Sequence, residues 1–84
     1  MGQNFSFKIL TPSETVFEGV VESIVAPGAS GHFGVLKNHA PFASSIKPGT
    51  LSIKDSEGLS KTFKVGEGFF EVRNNTAVFL TDEF

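Results

Sequence analysis

The chain has 84 residues, a formal net charge of −2 and no cysteine. Its length predicts one domain, and the lack of cysteine excludes disulfide bonds and thiolate zinc sites. Its Lys and Arg residues are scattered, whereas nucleic-acid surfaces need clustered cations, so we expect no nucleic-acid partner. No apolar run approaches the ~18 residues of a membrane span, and the N-terminus lacks a basic region before an apolar one. We therefore expect neither a transmembrane segment nor a signal peptide.

Short strands are predicted in the first third of the chain. Residues 5–10 alternate apolar and polar side chains over most of their length, and this period of two predicts a strand with one inward face. Residues 15–17 predict a second short strand that Gly19 ends. The β-branched residues of segment 20–25 predict a third strand, which ends before Pro27.

The segment Gly28–Phe42 has an unusual composition, with three glycines and both histidines of the chain. Spaced glycines favour repeated bends, and Pro41 restricts the backbone at the end of the segment. We therefore expect a long bent loop that exposes Lys37, Asn38 and His39. Such a loop on a rigid scaffold is a common way to present a binding surface, although a plain corner between two strands fits the composition equally well.

Strands are also predicted in the second half, at residues 42–46, 50–54, 59–65, 69–72 and 76–80. The polar residues 55–58 join two of them into a hairpin. Gly66 and Gly68 predict a bulge or sharp bend between two others. Apolar residues recur nowhere at helical spacing, so we expect no helix and an all-β antiparallel sandwich or small barrel.

The strand alternation also predicts a core. The side chains expected to face inward are Phe5, Phe7, Ile9, Val16, Ile24, Leu51, Ile53, Phe63, Val65, Val72 and Val78.

Few residues could carry chemistry. His32 and His39 have no further ligand nearby in sequence, so a metal site is not expected. His39 lies close to Ser44 and Ser45, but a hydrolase would also need an orienting acid, an oxyanion hole and a nucleophile elbow. No glycine-rich loop opens a helix, as a phosphate site would require. We expect no catalytic residue, no cofactor and no small-molecule ligand, and we interpret the exposed loop as a contact with another macromolecule.

Four segments in order carry a resemblance to a known family. They are T-P-S-E-T-V-F-E-G at 11–19, V-x-S-I-V-A-P-G-A-x-G-x-F-G-V-L-x-N-H-A-P at 21–41, I-K-P-G at 46–49, and G-x-G-F-x-E-V-R-x-N at 66–75. Each segment alone is weak evidence, but together, at these spacings, they are specific. The chain closely resembles the epsilon subunit of bacterial and chloroplast rotary ATP synthases, whose mitochondrial counterpart is called delta.

The resemblance implies a flattened, antiparallel β-sandwich of about ten short strands at the foot of the central stalk. There it would dock on the gamma subunit and on the membrane c-ring, couple proton flow to ATP synthesis and carry no catalytic site. It implies a peripheral location on the cytoplasmic face of the bacterial inner membrane. The residues matching the gamma-facing segments are Thr11, His39, Ala40, Pro41 and Ser44, and those matching the ring-facing loop are Ala29, Ser30, Gly31 and His32. The family commonly has an acid where His32 stands.

Most members of that family continue into two C-terminal helices that act as an inhibitory brake and in some members bind ATP. This sequence ends at Phe84, so we expect one β-sandwich domain over residues 1–84, without that helical hairpin, that couples but does not brake. Two other functions are possible for the same residues. One is a free-standing β-sandwich adaptor that binds other proteins, and the other is an esterase-like enzyme that uses His39.

Overall fold

A computed structural model describes residues 4–82 and 84 of the chain. The described residues form eight strands and no helix, which confirms the all-β prediction with a count close to the expected ten. The strands are β1 (Phe5–Leu10), β2 (Thr15–Gly28), β3 (Gly31–Val35), β4 (Phe42–Ile46), β5 (Gly49–Asp55), β6 (Ser60–Val65), β7 (Gly68–Arg73) and β8 (Thr76–Thr81).

The long strand β2 connects two layers. Its first half pairs with β1, and its second half pairs with β3 on one side and β5 on the other. The main strand order is β1-β8-β7-β4-β2-β5-β6, with β3 beside β2, and β1 and β8 are parallel to each other. One layer therefore holds β1, β8, β7, β4 and the first half of β2, and the other holds β3, β5, β6 and the second half. Rings from the two layers meet in the core, where Phe33 and Phe70 are 5.1 Å apart.

The prediction that Gly19 ends a strand is wrong. Gly19 lies within β2, opposite Phe7 of β1, and the Phe17 ring covers it. A Cβ at this position would lie 3.3 Å from the tip of that ring, so a glycine gives the ring room. The β-branched residues on both sides keep the backbone extended through the glycine, which here serves packing and does not end the strand.

The prediction of a long bent loop at 28–42 is wrong over part of its length, because Gly31–Val35 is strand β3. It forms a tight hairpin with the end of β2, in which Gly28 faces Gly31 and only two residues make the turn. A Cβ on Gly28 would lie 2.7 Å from the Gly31 carbonyl oxygen, and Gly31 has a φ of 132° that L side chains rarely adopt. The glycines therefore close a hairpin and do not make a loop.

The inward faces of the strands form one core of fifteen buried apolar side chains, in which Phe7, Phe70 and Phe79 are the largest fully buried members. Most of the expected residues belong to it, while Val16 and Phe63 are only partly buried against it. Val78 does not belong to it, because β8 presents Ala77 and Phe79 inward instead. The prediction also missed seven residues of the observed core: Val21, Ala26, Val35, Ile46, Phe70, Ala77 and Phe79.

Asp55 organises the β5–β6 loop. Its carboxylate accepts hydrogen bonds of 2.9 Å from the backbone amides of Glu57 and Leu59. The hydrogen bond from the Leu59 backbone amide is the main cause that lowers the pKa of this carboxyl below its usual value of 3.8. The charged form is therefore favoured in the folded state, so its stabilisation is present above about pH 4 and is lost as the pH falls through the lowered pKa.

We expect Asp55→Asn to remove this pH dependence, because the amide oxygen can still accept hydrogen bonds but carries no charge. The denaturant midpoints of the two proteins should differ most near neutral pH and should converge as the wild-type carboxyl becomes protonated below about pH 4. Urea unfolding at a series of pH values measures this. A difference between the two proteins that stays constant down to strongly acidic pH would contradict the assignment.

Candidate protein-docking surfaces

The His39 segment is more ordered than expected. The His39 amide donates to the Leu36 carbonyl at 3.2 Å, and Asn38 between them has a φ of 66°. These features form a tight turn with a positive φ at its third residue, where asparagine is tolerated. His39 is half-buried, so it is less exposed than the loop prediction implied. The cause is Phe42, whose ring centroid lies 5.7 Å from that of the imidazole.

A chain of aromatic rings connects this segment to the core. The ring centroids of Phe42 and Phe33 are 5.0 Å apart, those of Phe33 and Phe70 are 5.1 Å apart, and those of Phe70 and Phe7 are 6.0 Å apart. Such tilted and edge-to-face arrangements are favourable for aromatic pairs. His39 therefore stands at the surface end of a row of rings that begins in the centre of the sandwich.

The arrangement does not support an esterase-like use of His39. Its Nδ1 lies 2.6 Å from the carbonyl oxygen of Ala40. The Ser44 hydroxyl donates to the backbone carbonyl of Ser45 at 2.9 Å. Neither contact pairs the imidazole with a serine hydroxyl, which is the contact that a nucleophile and its general base require.

Thr11 lies at the other end of the same layer. Its hydroxyl accepts hydrogen bonds from the amides of Ser13 and Glu14 and so shapes the β1–β2 turn. At the opposite end of β1, the Ser6 amide donates to the Asn75 carbonyl, and Asn75 contacts the His39 segment through Asn38. The expected gamma-facing residues thus divide into Thr11 at one end of the layer and the His39 group at the other.

An exposed apolar row crosses the layer beside Thr11. Leu10 of β1 lies beside Leu80 of β8, which lies beside Phe69 of β7, all on the outward face. Phe69 is 45% exposed and Leu80 is 47% exposed, whereas polar residues are the usual outward neighbours. We call Leu10, Leu80 and Phe69 the apolar row. It borders a cavity of about 520 Å³ whose rim includes Pro12, Glu67 and Asp82.

Sequence reasoning missed the apolar row, although a signal was present. Leu10 follows the alternating run of β1 and is the apolar residue that stands on the polar phase of that strand. Only the register of β1, β8 and β7 shows that Leu10, Leu80 and Phe69 are neighbours.

The expected ring-facing residues are brought together at one end of the molecule. Ala29 and Ser30 form the two-residue turn between β2 and β3, and Gly31 and His32 begin β3. All four residues are exposed. Gly28 pairs with Gly31, and Pro27 pairs with His32. The turn at Ala29 and Ser30, which we call the hairpin tip, is therefore held by paired strands.

Three general features complete the description of residues 4–82 and 84. No helix within these residues is long and apolar enough to cross a membrane. No cluster of three or more His, Asp or Glu side chains suited to a metal ion occurs among them. The ion pairs Lys8–Glu18 (3.9 Å) and Glu22–Lys54 (4.0 Å) are exposed and contribute little to stability.

Comparison with known proteins gives consistent results. Residues 4–84 match the family described as "ATP synthase, Delta/Epsilon chain, beta-sandwich domain". The ATP synthase epsilon chain of Chlorobaculum tepidum is 42% identical over 79 residues, covering 94% of this chain and 90% of that protein. The epsilon chain of Leptospira borgpetersenii is also 42% identical, over 88% of this chain but 58% of that protein.

Solved structures show the same fold at lower sequence identity. A chain in the mitochondrial ATP synthase of Euglena gracilis superposes with a TM-score of 0.85 and 22% identity, covering 92% of this chain and 49% of that one. A chain from the Tetrahymena thermophila enzyme gives a TM-score of 0.74 and 19% identity, covering 93% and 63%. The family match spans residues 4–84, and the Chlorobaculum tepidum relative is 42% identical over most of both chains, so the chain belongs to the ATP synthase delta/epsilon chain family.

Proposed function

We propose that the chain is a central-stalk subunit of a proton-translocating ATP synthase. It docks on the gamma subunit and on the membrane c-ring, rotates with them and so couples proton flow to ATP synthesis. Family membership supports this proposal. The two structural neighbours come from assemblies described as "OSCP/F1/c-ring" and "central stalk/cring", which are the surroundings that the proposal requires.

The observation that carries the proposal is the apolar row. Phe69 and Leu80 lie exposed on neighbouring strands, with the half-buried Leu10 beside them, next to a cavity of about 520 Å³. Contiguous exposed apolar surface of this kind is typical of a protein interface. Because Thr11 also borders the cavity, the row extends the surface that the resemblance assigns to gamma.

The gamma surface in this proposal covers the outward face of β1, β8, β7 and β4. Thr11 lies at one end, and His39, Ala40 and Pro41 lie at the other. Ser44 is half-buried on the inward side of β4, opposite the buried Phe70, and so does not lie on this outward face. A partner that spans both ends would cover the apolar row and would remove it from water. Burial of this apolar surface would supply most of the binding energy, at roughly 25 cal/mol per Å² before the cost of association.

The ring contact in this proposal is the hairpin tip of Ala29 and Ser30 with the adjoining Gly31 and His32. Its two-residue turn and paired base give it the rigidity that a torque-bearing contact needs. His32 offers an imidazole in place of the family's usual acid, so the electrostatic attraction to basic ring loops is weaker here. Packing and hydrogen bonds then contribute a larger share of the binding free energy of this contact.

The subunit itself is non-catalytic in this proposal and lies at the cytoplasmic face of the bacterial inner membrane, held there through the complex. Its contribution is mechanical. A sandwich whose docking segments are anchored to paired strands can transmit torque without moving parts.

We expect Leu80→Asp to weaken binding to the purified gamma subunit by more than tenfold. The substitution puts a charge in the centre of the apolar row, next to Glu67 and Asp82, and a buried unpaired charge costs several times the ~1.4 kcal/mol that a tenfold change represents. Isothermal titration calorimetry measures the Kd.

Leu59→Asp is the matched control. Leu59 is 59% exposed in the β5–β6 loop, far from the apolar row, so the same change of side chain should leave the Kd unaltered. Urea unfolding of both variants checks that the fold is retained. Equal affinity of the wild type and Leu80→Asp would remove the apolar row from the gamma interface, and failure of the wild type to bind gamma would contradict the proposed function.

A further inference from the structure

Two asparagines 37 positions apart join the His39 segment to the β7–β8 turn. The Asn38 amide donates to the Asn75 side-chain oxygen at 2.6 Å, and the Asn75 side-chain amide donates to the Asn38 side-chain oxygen at 3.2 Å. We call this reciprocal pair the asparagine clasp. Both residues have positive φ, 66° for Asn38 and 58° for Asn75.

The Asn75 side of the clasp is firmly held. Arg73 pairs with Thr76, so Asn74 and Asn75 form a two-residue hairpin turn with positive φ at both positions. That geometry matches the right-handed twist of the strands and is a preferred hairpin turn. The Asn75 carbonyl also accepts a hydrogen bond of 3.1 Å from the Ser6 amide at the start of β1.

The Asn38 side of the clasp needs support. The segment from Leu36 to Pro41 leaves β3 and enters β4 outside the strand ladder, and Pro41 has no amide to donate. Its backbone is held by the turn hydrogen bond from His39 to Leu36 and by the clasp. The imidazole ring of His39 contacts Phe42, and the backbone just before it is bonded to Asn75.

We propose that Asn75 is a positioning residue that holds residues 38–41 in the conformation that binds the gamma subunit. The inference rests on the proposed function and adds to it a residue that the expected interface does not include. A loop ordered before binding avoids the entropy cost of ordering its backbone on binding. The clasp therefore raises affinity without itself having to touch the partner.

The test compares Asn75→Gly with Asn74→Gly. Glycine tolerates the positive φ at both positions, so neither variant strains the turn, but only Asn75→Gly removes the clasp. Amide hydrogen exchange by NMR should show faster exchange of the Asn38 amide, about tenfold or more, in Asn75→Gly alone. Calorimetry should show about tenfold weaker binding of Asn75→Gly to purified gamma subunit, with Asn74→Gly close to the wild type.

Asn75→Asp provides the rescue. Aspartate also tolerates positive φ, and its carboxylate can still accept from the Asn38 amide, so slow exchange and most of the affinity should return. This separates a positioning role from a general loss of stability, which denaturant unfolding of each variant also measures. Equal gamma affinity of the wild type and Asn75→Gly, or weak binding by Asn75→Asp despite a protected Asn38 amide, would overturn the inference. Failure of every protein, the wild type included, to bind gamma would overturn the proposed function instead.

Discussion

Replacing Phe79 with alanine should lower the free energy of unfolding by about 3–5 kcal/mol. Phe79 is fully buried in the middle of β8, with Ile9 of β1 on one side and Phe70 of β7 on the other. Removing its ring leaves a cavity that these strands cannot close without breaking their register. Small domains have a total stability of only about 5–15 kcal/mol, so the variant should be close to unfolding. Urea unfolding followed by far-UV circular dichroism measures the change.

Phe63→Ala is the control for the core assignment. Phe63 contacts the core from β6 but is only partly buried, with Phe17 and Phe84 as its aromatic neighbours. Its truncation removes less buried surface and leaves no closed cavity, so the loss of stability should be clearly smaller. A loss as large as that of Phe79→Ala, or a negligible loss for Phe79→Ala, would contradict the description of the core.

Gly68→Ala should also destabilise the protein strongly, by about 2–3 kcal/mol or more. A Cβ at position 68 would overlap the backbone carbonyl oxygen of Leu80 and would lie 2.5 Å from the ring of Phe79. The carbonyl belongs to the paired strand β8 and cannot move alone, so β7 and β8 would have to separate at this point. Thermal and urea unfolding both measure the effect.

Gly66→Ala is the matched control two residues earlier. A Cβ at position 66 would meet no atom within 4 Å, so this substitution should be nearly neutral or slightly stabilising. If the two alanine variants were equally stable, the close approach of β7 and β8 at Gly68 would be contradicted.

The fold was largely predictable because most strands show clean alternation and end at turn residues. β1 and β5 have this pattern, and their inward residues were identified correctly. In β7 the prediction found Val72 but missed Phe70, because Phe69 and Phe70 are adjacent apolar residues and do not alternate. β8 was assigned the wrong inward face because Ala77, Val78, Phe79 and Leu80 are all apolar, so the sequence contains no alternation to follow. Gly19 and Gly31 were interpreted as ends of strands or as loop residues, although glycine also occurs in strands where another side chain or backbone comes close.

The candidate site was predictable only in part. The composition of residues 28–42 indicated a surface segment, and the family resemblance supplied positions for two contacts. The half-burial of His39 depends on Phe42, and the clasp depends on Asn75, which lies 37 residues from its partner. The apolar row likewise depends on the register of three strands. Such long-range neighbours follow from tertiary structure and leave no local pattern in the sequence.

The most direct test of a stalk position is cross-linking in the assembled enzyme. The chain has no cysteine, so a single introduced cysteine carries a photoactivatable maleimide at one known position. Three sites are informative: Ala40→Cys in the His39 segment, Ser30→Cys at the hairpin tip, and Leu59→Cys in the β5–β6 loop. We expect Ala40→Cys to cross-link to gamma, Ser30→Cys to cross-link to the c-ring, and Leu59→Cys to cross-link to neither. Cross-links from Leu59→Cys to both partners, with none from Ala40→Cys or Ser30→Cys, would contradict the proposed stalk position.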